Sequence, residues 1–236
     1  MNLFGSFLQR ETTGCATLAA RPRCEVCRCP VRACWCKDLQ PVETAIEFVI
    51  LQHPFEARRT VSTGRMACLG VRGAKIFTGL DFTGDRRVNE IIADPDRSVW
   101  LLSPGADAVD LASLFHRNDS AVPDVTSEPA GRRTTLIILD GTWAQARRMR
   151  RLSVNLHPLR RVALAPAQPS EFAVRRQPEA HCLSTLETIV HCLRVLDGPD
   201  PERDRQLMRP MRNMVARQIE IARIAKLEAE TGPTCS

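Results

Sequence analysis

Tyrosine is absent from the 236 residues, and aromatic residues of all kinds make up only 5%. A platform of rings on which a ligand's bases would stack is therefore disfavoured. Lysine is scarce as well: Lys37, Lys75 and Lys226 are the only ones, so the positive charge rests on arginine. So broad an arginine preference reflects codon usage as readily as phosphate-gripping guanidinium forks, and it is discounted as a signal. No apolar run approaches the ~20 residues of a transmembrane helix. Residues 1–20 carry Arg10 and Glu11 at mid-length and no apolar stretch of signal-peptide length. The expectation is a cytoplasmic protein without a membrane partner, whose first 20 residues are a poorly ordered lead-in. No internal repeat of solenoid period is visible.

What is present suits one sizeable α/β core with a small appended module: 44% hydrophobic and 25% charged residues over 236 positions. A net charge of +6 is compatible with a nucleic-acid partner without demonstrating one. The chain has ten cysteines, and in a reducing compartment these point to metal or buried thiols rather than disulfides. Five of them fall between Cys24 and Cys36. A C-x-x-C knuckle, Cys24 and Cys27, precedes a C-x-C pair, Cys34 and Cys36, and together they offer four thiolates to a tetrahedral zinc ion. Too few apolar residues surround them to make a core, so metal would supply the folding energy of a module spanning residues 21–40. Such a site is closed and structural. Free thiols are the alternative, and the extra Cys29 could replace a neighbour in the ligand set.

The most informative stretch runs from Thr135 to Arg151. Thr135 to Leu139 lacks polar alternation, as in a strand buried on both faces of a parallel sheet. Asp140, Gly141 and Thr142 break the run with turn and cap residues. Trp143, Ala146, Met149 and Leu152 then recur at helical spacing, and Arg147, Arg148, Arg150 and Arg151 present a basic face. Residues 141–170 hold six arginines and no acid, a better nucleic-acid signal than net charge. Asp140 has two readings: an N-cap of the following helix, or an acid at the ligand-binding end of an open α/β sheet.

The same order of strand, polar turn and helix is read at Ala45–Leu51, with His53 in the turn and a helix from Glu56 to about Leu69. His53 there is either a substrate contact or a residue satisfying a loop carbonyl. Strands are read at Lys75–Thr78 and Ser98–Leu102, the second closed by Ser103, Pro104 and Gly105. Helices are read at Arg86–Ala93 and Asp107–Leu114, with an exposed connection over His116–Arg133. Ser184 and Glu187 form a capping box ahead of Leu186, Ile189, Val190 and Leu193, and the first turn of that helix is a candidate anion site. A final helix is expected from about Arg205 to Glu230, interrupted near Pro210.

The wording D-G-T-W-x-x-A-R-R-M resembles the signature of the DTW-domain family, aminocarboxypropyltransferases acting on uridine in tRNA. Four further blocks are similar to the family in order: the cysteines, H-P-F-E-A-R-R-T-V-S-T-G-R, the proline-flanked segment around Arg175, and L-S-T-L-E. The resemblance covers about residues 24–196. It implies a SPOUT-like α/β fold, knotted, with a mostly parallel sheet and helices on both faces, as a catalytic domain over residues 41–236. True knots are rare, so that feature rests on the resemblance alone. The resemblance further implies that Asp140, Thr142 and Trp143 serve catalysis. Leu102, Ser103, Pro104, Leu139, Gly141, Leu183, Ser184 and Thr185 would hold S-adenosylmethionine. His53, Arg58, Arg65, Arg147, Arg148, Arg151 and Arg175 would contact tRNA, with Arg59 a further candidate. Zinc at Cys24, Cys27, Cys34 and Cys36 fits the family's cysteine framework. The implied reaction moves a 3-amino-3-carboxypropyl group to N3 of a uridine. The alternatives are a methyltransferase using the same cosubstrate and a non-catalytic zinc-containing RNA-binding protein.

Overall fold

The computed structural model describes residues 22–115, 132–164, 170–171 and 183–231. The two longest apolar runs become neighbours at the middle of the sheet. Strand β1 (Glu47–Gln52) pairs in parallel with β5 (Arg133–Asp140), in register from Glu47 opposite Thr135 to Gln52 opposite Asp140. The other strands are β2 (Lys75–Thr78), β3 (Arg97–Leu102), β4 (Val109–Asp110) and β6 (Arg160–Ala163). They complete a six-stranded sheet of order β2-β1-β5-β3-β6-β4 in which every pairing is parallel.

Side chains alternate across the sheet, and both faces are apolar because both are covered. Phe48, Ile50, Leu136 and Ile138 pack against α2 (Thr63–Gly70), α6 (Thr185–Leu196) and the first half of α7 (Pro201–Thr231), with Leu111 at the start of α4 (Leu111–Phe115). Val49, Leu51, Ile137 and Leu101 pack on the other side against α3 (Arg86–Ala93), α5 (Trp143–Leu152) and Leu156. The cysteine segment packs on this core: Cys27, Cys29 and Trp35 are buried in the same cluster as residues of α2 and α7.

Several expectations are corrected. The helix read over Glu56–Leu69 is two helices, α1 (Pro54–Arg58) and α2. Arg59 is extended, and the Ser62 hydroxyl accepts from Arg65 N–H and caps a new start. The helix read from Asp107 begins only at Leu111, because Val109 and Asp110 pair with Val162 and Ala163 as β4. Strand β6 was not foreseen. Helix α7 starts at Pro201 and runs through Pro210 without interruption. Proline there removes one N–H, but Leu207, Met208, Met211 and Met214 bury the helix on both sides of it. Along the apolar stripe of α5, Met149 is fully buried, whereas Trp143 and Leu152 are 42% and 37% exposed. The expected lead-in lies outside the described residues, as do Arg175 and all of the exposed connection except its last two residues.

Ile137 at the centre of β5 is wholly buried, and Val154 is 53% exposed. Ile137→Ala is expected to lower unfolding free energy by about 2–5 kcal/mol in urea titration. Val154→Ala should change it by less than ~0.5 kcal/mol.

Candidate active site

At the carboxyl ends of β3, β5 and β6 lies a cavity of about 670 Å³, within the ~300–1,000 Å³ typical of small-molecule sites. Its walls are Leu102 of β3 with Ser103, Pro104 and Gly105 after it, Ile138 and Leu139 of β5 with Gly141 after it, and Ala163 of β6 with Leu164 after it. Leu183, Thr185 and Thr188 contribute from the α6 side, and Trp143, Ala146, Arg147 and Arg150 from one face of α5. Leu102, Ser103, Pro104, Leu139, Gly141, Leu183 and Thr185 are thus brought to one cavity. Ser184 is not on its wall; it is buried as the N-cap of α6. Gly105, from the turn after β3, lies on the wall beside Arg161, which was not foreseen there. A Cβ at Gly105 would come within 2.3 Å of the Arg161 guanidinium, which pairs with Asp107.

Asp140 is not the helix cap. That role belongs to Thr142, whose hydroxyl accepts from Gln145 N–H while the Gln145 side chain accepts from Thr142 N–H. Asp140 is the last residue of β5, still in register with Gln52, and its side chain turns toward α2 and α6. Its carboxylate is buried. Oδ2 accepts from Gln52 Nε2 at 2.7 Å, and Oδ1 accepts from Thr185 Oγ1 at 2.5 Å. Gln52 Nε2 also donates to Ser62 Oγ at 3.0 Å, which fixes the orientation of the amide. Gly64 makes room for the carboxylate, since a Cβ there would stand 2.4 Å from Oδ2. Thr185 therefore joins the buried acid to the cavity wall.

The first turn of α6 already holds an anion. Glu187 is buried and accepts from Ser184 N–H, Ser170 Oγ and Glu171 N–H. An external carboxylate would have to compete with this one, so the cationic side chains Arg147, Arg150 and Arg161 of the cavity are the better anion contacts.

His53 caps α1 through Nδ1, which accepts from Phe55 N–H at 3.1 Å. Burial holds its imidazole below the ordinary histidine range, opposed by Glu56 and reinforced by the charge of Arg148. Arg58, Arg147, Arg148 and Arg151 are exposed. Arg65 is not a surface contact; it is buried and donates to Cys27 O at 3.0 Å and Ala57 O at 2.8 Å. Around α5 the arginines diverge, with Arg147 and Arg150 facing the cavity.

The sulfurs of Cys24, Cys27, Cys34 and Cys36 lie within 4.8 Å of one another. Cys24 and Cys36 are 3.8 Å apart, and Cys27 and Cys34 3.7 Å. Zn–S bonds of about 2.3 Å in a tetrahedron place sulfurs roughly 3.8 Å apart, so the set fits a metal ion of that kind. The Cys24 thiol is lowered to about 6, first by the N–H groups of Cys27 and Val26 that stabilise its anion. Cys29 points elsewhere: its buried thiol donates to Thr60 O at 2.9 Å. Arg28 closes the knuckle with φ at 60°, a left-handed conformation uncommon outside glycine.

The DTW domain family matches residues 21–219. The chain belongs to the DTW-domain family. Its relatives include tRNA-uridine aminocarboxypropyltransferase 2 of Drosophila melanogaster, 36% identical over 206 residues, covering 85% of this chain and 76% of that protein. The Mus musculus protein of the same name is 28% identical and covers 89% and 68%. A tRNA-uridine aminocarboxypropyltransferase A of Arabidopsis thaliana is 25% identical, with 83% and 80% covered. No solved structure matches. In this member of the DTW-domain family, Gln52, Gly64 and Arg161 carry no local signal in the sequence, because their parts depend on contacts between distant elements.

The sulfur geometry generates a metal test. Purified protein is expected to hold about one zinc per chain. Metal analysis should show zinc lost in Cys36→Ser and retained in Cys29→Ser; the reverse pattern would refute the four-sulfur assignment.

Proposed function

We propose that this chain moves the 3-amino-3-carboxypropyl group of S-adenosylmethionine to N3 of a tRNA uridine and releases methylthioadenosine. The observation that carries the reading is the ligand-sized cavity walled by Thr185, whose hydroxyl is held by the buried Asp140 carboxylate. Support comes from relatives named for that activity along most of the chain. We assign zinc to the four-cysteine cluster, residues 21–40 to the module that carries it, and residues 41–236 to a catalytic domain. The parallel sheet with its cavity at the carboxyl ends supports a SPOUT-like class, knotted as in the family, and no described helix is long and apolar enough to cross a membrane. A cytoplasmic setting agrees with that absence and with free thiols.

The donor suits the wall chemistry. Leu102, Leu139 and Leu183 offer apolar surface, Ser103 and Thr188 offer hydroxyls, and Arg147, Arg150 and Arg161 offer positive charge for a carboxylate. When bound it would supply a carbon made electrophilic by the neighbouring sulfonium. The chain then has to orient the uracil and take its N3 proton. With its own proton directed to Asp140, the Thr185 oxygen keeps lone pairs for the cavity side. In the reaction we assign, N3 bonds to carbon as the carbon–sulfur bond breaks, with its electron pair passing to sulfur. The N3 proton goes to Thr185 Oγ1 as the threonine proton goes to Asp140. Trp143, at the cavity and 42% exposed, gives the uracil a face to stack on. Thr142 fixes the turn that carries it.

Asp140→Asn separates catalysis from structure. The Asn carbonyl can still accept from Gln52, while its amide would donate to Thr185 and turn the hydroxyl proton toward the cavity. The fold should persist, and transfer measured by nucleoside mass spectrometry should slow by roughly 10²–10⁴-fold. Thr185→Val should be similarly impaired and Thr185→Ser largely active. Near-wild-type turnover in Asp140→Asn would remove the carboxylate from the mechanism, and a methylated nucleoside would refute the reaction.

A further inference from the structure

A second concavity opens on the same edge of the sheet. One wall is the cysteine knuckle, with Arg23 and Arg28; the other is α1, with Arg58 and Arg59; Thr78 at the end of β2 lies in its lining. Glu25 is the single acid among its lining residues. Arg59 pairs with Glu56, whereas Arg23, Arg28 and Arg58 have no acidic partner among the described residues. The gap is held at fixed width. Buried Arg65 donates to Cys27 O on one wall and Ala57 O on the other, and Cys29 donates to Thr60 O beside them.

The groove opens at the same end of the sheet as the cavity. It lies at the ends of β2 and β1, the cavity at β5, β3 and β6. At about 4.8 Å per strand the two centres are roughly 10–15 Å apart, a few nucleotides of an RNA strand. Two exposed rings follow strands at that same end. Phe55 is 61% exposed and Trp143 42%, and each follows one of the register partners Gln52 and Asp140 by three residues.

We infer that this groove holds the phosphate backbone of the RNA beside the modified uridine, which makes the cysteine module a wall of the RNA site as well as a folding element. The inference rests on the tRNA reading above. An arginine-lined groove with exposed rings at the same end of the sheet suits a single-stranded loop, whose phosphates meet arginines while its bases stack.

The test uses zinc-loaded full-length protein and an unmodified tRNA transcript. Arg23→Glu with Arg58→Glu is expected to weaken binding at least about tenfold at low salt and to flatten the log–log salt dependence by about 1.5. The loss should appear in KM for tRNA, with zinc content and S-adenosylmethionine affinity retained. Arg58→Ala alone should show a smaller change in the same direction and covers the case in which the double variant does not fold. Unchanged tRNA affinity in these variants, with weakening in Arg148→Ala, would overturn the groove and leave the tRNA reading standing. A wild-type protein that fails to bind tRNA would overturn both. Loss of binding to phosphatidylserine vesicles with tRNA affinity intact would also overturn it.

Discussion

Burying the carboxylate of Asp140 is the constraint on which the site depends. An ionised group removed from water is tolerated only where donors replace its hydration, and here Gln52 and Thr185 do so from two different elements. The consequences spread outward. Gln52 also reaches Ser62, which caps α2, and α2 supplies the glycine whose missing Cβ leaves space for the carboxylate. Thr185 opens α6 and stands in the cavity wall. A single acid thus sets the mutual placement of β1, β5, α2 and α6. It also dictates which side of the Thr185 hydroxyl faces the cavity.

The helix ends around the site are satisfied from within. Helices α5 and α6, which flank the cavity, both begin in capping boxes, from Thr142 with Gln145 and from Ser184 with Glu187. Orphan N–H groups at a helix start normally attract anions, but here side chains of the chain already meet some of them. Anion recognition is left to guanidinium groups. Arg147 and Arg150 reach the cavity from α5, and Arg161 from β6 with its charge partly met by Asp107. Positive charge and apolar surface therefore meet in one cavity.

How much of this could be read in the sequence follows from which interactions are local. Strands β1 and β5 were legible because a strand covered on both faces must be apolar throughout, and α6 because its capping box lies within four residues. Strand β6 was not: Arg160 and Arg161 read as solvated charge, although one guanidinium lies over the Trp100 ring and the other is tied to Asp107. The role of Asp140 was misread in part because a strand-to-helix turn has several residues able to cap, and only the register with Gln52 shows that the chain is still a strand there. The helical stripe of Trp143, Ala146, Met149 and Leu152 could not by itself show that its first two residues line a cavity while Met149 enters the core.

Arginine illustrates why composition alone said little about the partner. Arg65 satisfies two backbone carbonyls in the interior, a task suited to a planar fork with several donors. Arg97 is largely buried between Glu47 and Asp94, and Arg203 near Asp197 and Asp204. These residues raise the arginine count without offering charge to an external polyanion. The exposed guanidiniums near the site include those of Arg23, Arg28, Arg58, Arg147, Arg148 and Arg151, drawn from the cysteine knuckle, α1 and α5. Two of those elements leave the carboxyl ends of adjacent strands, and Arg65 ties the third to α1. Charge is therefore gathered on one edge of the sheet by topology, the same edge at which Asp140 and Thr185 meet.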